Sequence, residues 1–231
     1  MHYNTEECLA NLRHNLEYLL NKKQLKMPKD AVHELLNQQR QLTVDELLLI
    51  GEMSNLEINM LLHRRLPLEK IAVKMLVMDC DGVLTDGGMT FSKDGDEIKK
   101  FNAKDGQGIK RAHNEGLLTG IISAGHSTGL VEKRAAMLGI EHVYVGKRPK
   151  LAVLEEWLTT LKFNLEDIAY IGDDISDIPI LEKVALAACP SDAVKQVREI
   201  SHLVLQLPGG AGCVRELIDE HLLTSSPRAG T

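Results

Sequence analysis

The stretch Met75-Leu-Val-Met-Asp79-Cys80-Asp81-Gly82 constrains the fold more than any other part of the chain. Four apolar residues follow Lys74 without a polar break, and the run ends in two carboxylates separated by one residue. A strand buried on both faces reads as a continuous apolar run, whereas a strand with one wet face alternates. Gly82 marks a turn directly after the acids. In open α/β sheets, ligands collect at the carboxyl ends of the strands. The stretch therefore predicts a central parallel strand that delivers Asp79 and Asp81 into a site. Two solvated loop carboxylates after an ordinary core strand would give the same string, so the residues downstream must decide between the two.

From Ile71 onward, apolar runs alternate with helical periodicity, the pattern of βαβ units and a parallel sheet. Asp94-Gly95 between two short alternating runs predicts a β-hairpin, because Gly takes positive φ at little cost. A helix should open near Asp105 and stop at Gly116. A strand over 117–123 ends in Ser123 and leads through Ala124-Gly125-His126-Ser127-Thr128 into a further helix. A hydroxyl beside the N–H groups of a helix start is a ready phosphate site, although Ser127 reads equally as a simple N-cap. Gly146-Lys147-Arg148-Pro149-Lys150 precedes a helix through Leu151, Leu154, Trp157 and Leu158. A cation at a helix start opposes the dipole, which predicts an anion beside Lys150. Ile168-Ala-Tyr-Ile-Gly172-Asp173-Asp174-Ile-Ser-Asp177 is a second apolar strand ending in acids. A glycine-rich loop, Pro208-Gly209-Gly210-Ala211-Gly212, opens the last helix.

Residues 1–70 form a different kind of segment. Leu9, Leu12, Leu16, Leu19 and Leu20 fall on one helical face, and Thr43-Val-Asp-Glu46 is a capping box opening a helix expected to run through Leu62. No acid cluster or glycine loop occurs there, so a docking or oligomerisation role is expected. A net charge of −6 leaves no electrostatic footprint for nucleic acid. The amino terminus lacks the basic and apolar regions of a signal peptide, and no apolar run approaches a membrane span. Cys8, Cys80, Cys189 and Cys213 have no C-x-x-C spacing, which suits a reducing, cytoplasmic setting. Strand alternation should turn Cys80 away from Asp79 and Asp81. The tail over 225–231 reads as disordered.

Taken in order, these stretches resemble the haloacid dehalogenase (HAD) phosphohydrolases. Asp79-Cys-Asp81-Gly-Val-Leu-Thr85-Asp86-Gly87 is similar to the first motif, Ser123 to the second, Lys150 to the third, and Gly172-Asp173-Asp174-x-x-Asp177 to the fourth. The resemblance covers about residues 71–224. It implies an α/β, Rossmann-like parallel sheet with helices on both faces and a β-hairpin flap, preceded here by a small all-helical segment. It further implies Asp79 as nucleophile, Asp81 as general acid/base, and Lys150, Ser123 and Ala124 around the phosphate. Asp79, the Asp81 carbonyl and Asp173 would hold the metal, with Thr85, Asp174 and Asp177 in support. Carboxylates about 4 Å apart repel by roughly 4 kcal/mol at an effective dielectric near 20, so a cation is needed among them. Hard oxygen donors select Mg²⁺.

Within the superfamily, Val83-Leu-Thr85-Asp86-Gly87, Phe101-Asn102 with Asp105-Gly106, and Gly209-Gly210-Ala-Gly212-Cys-Val214-Arg215-Glu216 resemble the capless 3-deoxy-manno-octulosonate 8-phosphate (KDO 8-phosphate) phosphatases and their nonulosonate relatives. That implies a small phosphorylated sugar acid as substrate, and a homo-tetramer assembled through the hairpin. Those enzymes usually read Thr-Gly-Arg in the second motif, whereas this chain has His126 where the Arg stands. Two other readings remain beside phosphatase: a non-catalytic oligomerisation module of sugar-acid activation, and a phosphomutase, which usually carries a cap domain.

Overall fold

Strand β1, Met75–Met78, is buried along its whole length, as its unbroken apolar run requires. The structure, a computed structural model, describes residues 5–21, 32, 34–35, 42–54, 58–63, 73–125 and 128–223. The chain divides into two units, Met1–Lys70 and Ile71–Thr231.

In the second unit a β-hairpin follows β1, made of β2 (Thr90–Phe91) and β3 (Glu97–Ile98). Phe91 pairs with Glu97 and Thr90 with Ile98. The turn closes through the Ser92 N–H to the Asp96 carbonyl at 2.8 Å, with Gly95 at φ +88°. Five further parallel strands follow: β4 (Leu118–Ser123), β5 (His142–Val145), β6 (Ile168–Ile171), β7 (Leu186–Cys189) and β8 (Leu203–Val204). Their order across the six-stranded sheet is β5-β4-β1-β6-β7-β8. The chain builds from β1 toward one edge, then returns to β1's other side at β6. That reversal puts a topological switch point at the carboxyl end of β1, flanked by the ends of β4 and β6.

Alternate residues of β1 serve the two faces of the sheet. Met75 and Val77 pack in one cluster with Tyr170, Val153, Leu154, Leu158, Ile180 and Leu181. Leu76 and Met78 have the opposite parity and are equally buried. Helix Ala103–Asn114 packs on β4 and buries Ile109 and Ala112. It starts earlier than its Asp105 suggests, because the Asn102 Oδ1 accepts the Lys104 N–H at 2.8 Å and caps the first turn. Gly116, at φ +84°, ends it as expected.

In the first unit, helix Thr5–Asn21 buries Leu12, Leu16 and Leu19, but Leu9 is 45% exposed. The contact stripe takes in Asn11 and Asn15 beside those three leucines. Asn15 Nδ2 donates to the Leu61 carbonyl at 2.8 Å, and Asn11 Nδ2 to that of Leu62 at 3.2 Å. Those carbonyls lie in the last described turn of helix Ile58–His63. Thr43 and Glu46 form the expected capping box, the Thr43 N–H donating to Glu46 Oε2 at 2.9 Å and the Glu46 N–H to Thr43 Oγ1 at 3.2 Å. The helix they open is described over Val44–Ser54, and helix Ile58–His63 carries the expected stretch through Leu62; residues 55–57 between them lie outside the described residues. Among the described residues, no helix is long and apolar enough to cross a membrane. The tail over 225–231 lies outside the described residues.

Candidate active site

Asp79 is the first residue past β1, and its N–H extends the sheet ladder to the Ile171 carbonyl at 3.0 Å. Its Oδ1 accepts the Cys80 N–H at 2.6 Å, and its Oδ2 meets Lys150 Nζ at 2.8 Å. The Cys80 carbonyl then gathers the N–H groups of Leu84 and Thr85 at 2.9 and 3.0 Å, folding the acid motif into a tight turn. Cys80 itself is wholly buried, and burial pushes its thiol far above the ordinary range.

Lys150 opens helix Lys150–Leu161 and is 5% exposed. Its ammonium bridges Asp79 and Asp177 Oδ1, the latter at 2.7 Å. This is the anion that its unfavourable place in the helix predicts. Burial works against the charge on Lys150, but Asp79 and Asp177 outweigh it and hold its pKa above the ordinary value.

Asp177 is completely buried and fully engaged. Its Oδ1 accepts from Lys150 and from the Tyr170 hydroxyl. Its Oδ2 accepts the N–H groups of Asp173 at 3.1 Å and Asp174 at 3.2 Å. Asp174 turns outward, with Oδ1 accepting the Ile175 N–H at 2.8 Å.

Asp173 differs from both. Its Oδ1 is buried without a hydrogen-bond partner among the described residues. Burial first, then the charges of Asp79 and Asp177, raise its pKa to about 8. Burial and Asp177 raise that of Asp79 too, against the pull of Lys150. Oxygens of Asp79, Asp173 and Asp177 lie within 4.8 Å of one another. Each Asp177 oxygen already accepts two donors, whereas each Asp79 oxygen has one and Asp173 Oδ1 none, so Asp79 and Asp173 are the side chains with room for a cation. A hard divalent ion fits this all-oxygen set and would relieve the repulsion and the orphaned oxygen together.

Glycines permit this crowding. A Cβ on Gly82, at φ +85°, would stand 2.0 Å from Asp173 Oδ2. A Cβ on Gly209 would stand 2.0 Å from the Gly82 carbonyl oxygen. The carboxy-terminal glycine loop thus lies directly on the acid turn, tied by the Gly210 N–H to the Val83 carbonyl at 2.9 Å. Asn102 Nδ2 holds the Gly210 carbonyl at 3.0 Å, and Asp192 Oδ1 accepts the Gly209 N–H at 2.9 Å.

The remaining expected residues form an adjoining group. Ser123 ends β4, is buried, and its Oγ accepts the Gly125 N–H at 3.1 Å. Ala124 is exposed beside it. The Asp81 side chain is 37% exposed, open enough for a substrate to reach. Its Oδ1 lies 3.4 Å from Thr85 Oγ1 and binds Lys99 Nζ. Arg148 turns away to Glu156 at 2.7 Å. His126 and Ser127 lie outside the described residues.

Sequence reasoning missed Tyr170 and Lys99. A lone hydroxyl inside the apolar run Ile168-Ala-Tyr-Ile is a signal, since a buried Tyr needs a partner for its O–H. For Lys99 the Glu97-x-Lys99 alternation is the only hint.

No protein-family model matches the chain. The 3-deoxy-D-manno-octulosonate 8-phosphate phosphatase KdsC of Escherichia coli K12 is 40% identical over 151 residues, spanning 65% of this chain and 80% of that protein. A HAD superfamily (subfamily III A) hydrolase structure from Legionella pneumophila is 39% identical, covers 66% of this chain and 84% of its own, and superposes with TM-score 0.63. A 3-deoxy-D-manno-octulosonate 8-phosphate phosphatase from Moraxella catarrhalis, solved with magnesium, phosphate and KDO, is 32% identical over 67% of this chain and 89% of its own, with TM-score 0.65. With its parallel sheet, its ordered acids and this similarity, the chain belongs to the HAD superfamily, in the family of the KDO 8-phosphate phosphatases.

Proposed function

We propose that this protein is a Mg²⁺-dependent phosphomonoesterase acting through an aspartyl-phosphate on Asp79. Its substrate is a phosphorylated sugar acid, such as KDO 8-phosphate or a nonulosonate 9-phosphate. The observation that carries this reading is the Asp79–Lys150–Asp177 clasp at the end of β1, beside the unpartnered oxygen of Asp173. A structural turn has no use for a buried lysine held between two acids next to a third. The similarity to enzymes named for KDO 8-phosphate supports the substrate class.

The Asp79 and Asp173 side chains and the Asp81 carbonyl would hold Mg²⁺, which when bound supplies positive charge to the phosphoryl oxygens. Asp79 Oδ attacks phosphorus while Lys150 steadies the phosphate oxygens. Ser123 and the backbone around Ala124 take further phosphate oxygens. Asp81 gives a proton to the departing sugar oxygen, then takes one from the water that hydrolyses the aspartyl-phosphate. Thr85, Asp174 and Asp177 hold the acid turns in shape.

The hairpin exposes Met89, Phe91 and Ile98, an apolar surface suited to homo-tetramer contacts. Residues 1–70 would serve as a separate docking or oligomerisation unit. The buried, weakly acidic thiols of Cys80 and Cys213 suit a reducing cytoplasm.

Phosphate release from a panel of sugar-acid phosphates, with Mg²⁺ and with EDTA, tests the function. Metal-dependent turnover of an eight- or nine-carbon keto-acid phosphate, abolished by Asp79→Asn, is the expected result. Activity surviving in Asp79→Asn would refute the mechanism. Light scattering tests the tetramer, and a monomer would refute it.

A further inference from the structure

Asp81 meets a lysine that no acid motif contains. Glu97 and Lys99 are two residues apart on extended chain, so their side chains leave on the same face of the hairpin. The Lys99 side chain is 6% exposed. Its ammonium binds Asp81 Oδ1 and, at 2.8 Å, Glu97 Oε1. Thr85 Oγ1 approaches the same Asp81 oxygen at 3.4 Å. Asp81 Oδ2 faces the other way, toward the end of β4. It lies 2.9 Å from where a Cβ on Gly125 would stand, and Ser123 Oγ lies 3.2 Å from that point. One oxygen of Asp81 is therefore anchored to the hairpin, and the other is presented toward the phosphate-binding end of the sheet.

We infer that Lys99 is a positioning residue for Asp81, fixing Oδ1 so that Oδ2 is the atom that moves the proton. The inference rests on the phosphatase reading. In the first half-reaction a bond forms between Asp79 Oδ and phosphorus as the bond from phosphorus to the sugar oxygen breaks. The proton on Asp81 Oδ2 goes to that oxygen. In the second, water attacks phosphorus, its proton returns to Oδ2, and the bond to Asp79 breaks. Lys99 keeps its protons throughout. Its flexible four-carbon stem would swing if it faced one carboxylate alone. Glu97 supplies the second contact and holds it still. Proton transfer requires heavy atoms within hydrogen-bond reach, and a displacement of about 1 Å costs on the order of 100-fold in rate.

The test compares leaving groups. A sugar alkoxide needs Asp81's proton to depart, whereas 4-nitrophenolate leaves unaided. With KDO 8-phosphate, Lys99→Met should lower kcat by about 100-fold. With 4-nitrophenyl phosphate, the pre-steady-state burst of nitrophenolate should fall by less than about 5-fold, because aspartyl-phosphate formation there needs no acid. Lys99→Arg should restore most of the KDO 8-phosphate rate, and Glu97→Gln should lower it in the same leaving-group-dependent way. Equal losses on both substrates, unrelieved by Arg, would overturn the inference and make Lys99 a purely structural contact. If Lys99→Met fails to fold by circular dichroism, Lys99→Arg and Glu97→Gln carry the same comparison. Wild-type protein that releases phosphate from neither substrate overturns the phosphatase reading itself, before any variant is made.

Discussion

Replacing Asp173 with Asn removes a carboxylate that the metal-free protein holds at a cost. The pKa of Asp173 rises from 3.8 to about 8, chiefly through burial and then through Asp79 and Asp177. At about 1.4 kcal/mol per pKa unit, that is about 6 kcal/mol against the charged form. Asp173 is only partly buried, and solvent screening reduces the figure to about 3 kcal/mol. Because the folded pKa lies above the unfolded one, the associated stability is complete below about pH 4 and is lost as pH rises toward 8. In EDTA, Asp173→Asn should therefore match wild type near pH 4.5 and exceed it at pH 8.5. A difference of about 3 kcal/mol corresponds to roughly 6–12 °C in Tm for a domain of this size. Millimolar Mg²⁺ should reverse the order, stabilising wild type by mass action and leaving the variant unmoved. Thermal unfolding at both pH values, with EDTA and with Mg²⁺, reads all four conditions. A Tm difference independent of pH, or an equal response to Mg²⁺, would refute the idea that Asp173 is an uncompensated carboxylate awaiting a cation.

Lys150→Met leaves Asp79 and Asp177 facing each other without their shared cation; breaking such a buried pair costs about 3–5 kcal/mol, measurable as a shift of the urea midpoint in EDTA. Burial raises Asp105 to a pKa of about 6, partly offset by the Arg215 N–H that donates to its Oδ1 at 2.8 Å. Its contribution, about 3 kcal/mol, is present below about pH 4 and lost as pH rises through 6, so Asp105→Asn should gain stability over wild type between pH 4.5 and 7.5, read by urea unfolding at both values. Gly209→Ala places a methyl group 2.0 Å from the Gly82 carbonyl oxygen. The acid turn must move, so urea unfolding should show a loss of about 1–3 kcal/mol, and kcat should fall more than KM changes.

The strongest local signals in the sequence survive intact in the fold. The unbroken apolar run before Asp79, the Asp94-Gly95 turn and the Thr43–Glu46 capping box each form as expected, because each is decided by residues within a few positions of one another. The sheet's parallel character and the placing of Asp79, Ser123 and Asp173 at strand ends are legible for the same reason. The leucine stripe finds the buried Leu12, Leu16 and Leu19 of the first helix but not Asn11 and Asn15, since two asparagines reach carbonyls of another helix and no apolar count reveals that.

Tertiary structure alone decided which acids keep an open oxygen and which are tied elsewhere. Asp177 reads like Asp173 in the sequence, yet one is saturated by Lys150, Tyr170 and backbone N–H groups while the other keeps a bare buried oxygen. Lys99 reaches Asp81 across 18 residues, and Asn102 reaches the glycine loop across 108. Contacts made at such separations leave no periodicity in the chain. The sequence determined the residue types and the strand ends at which they stand, because spacing along a strand sets direction. Pairing among the charges waited for the fold, because electrostatic and hydrogen-bond partners are chosen by distance in space.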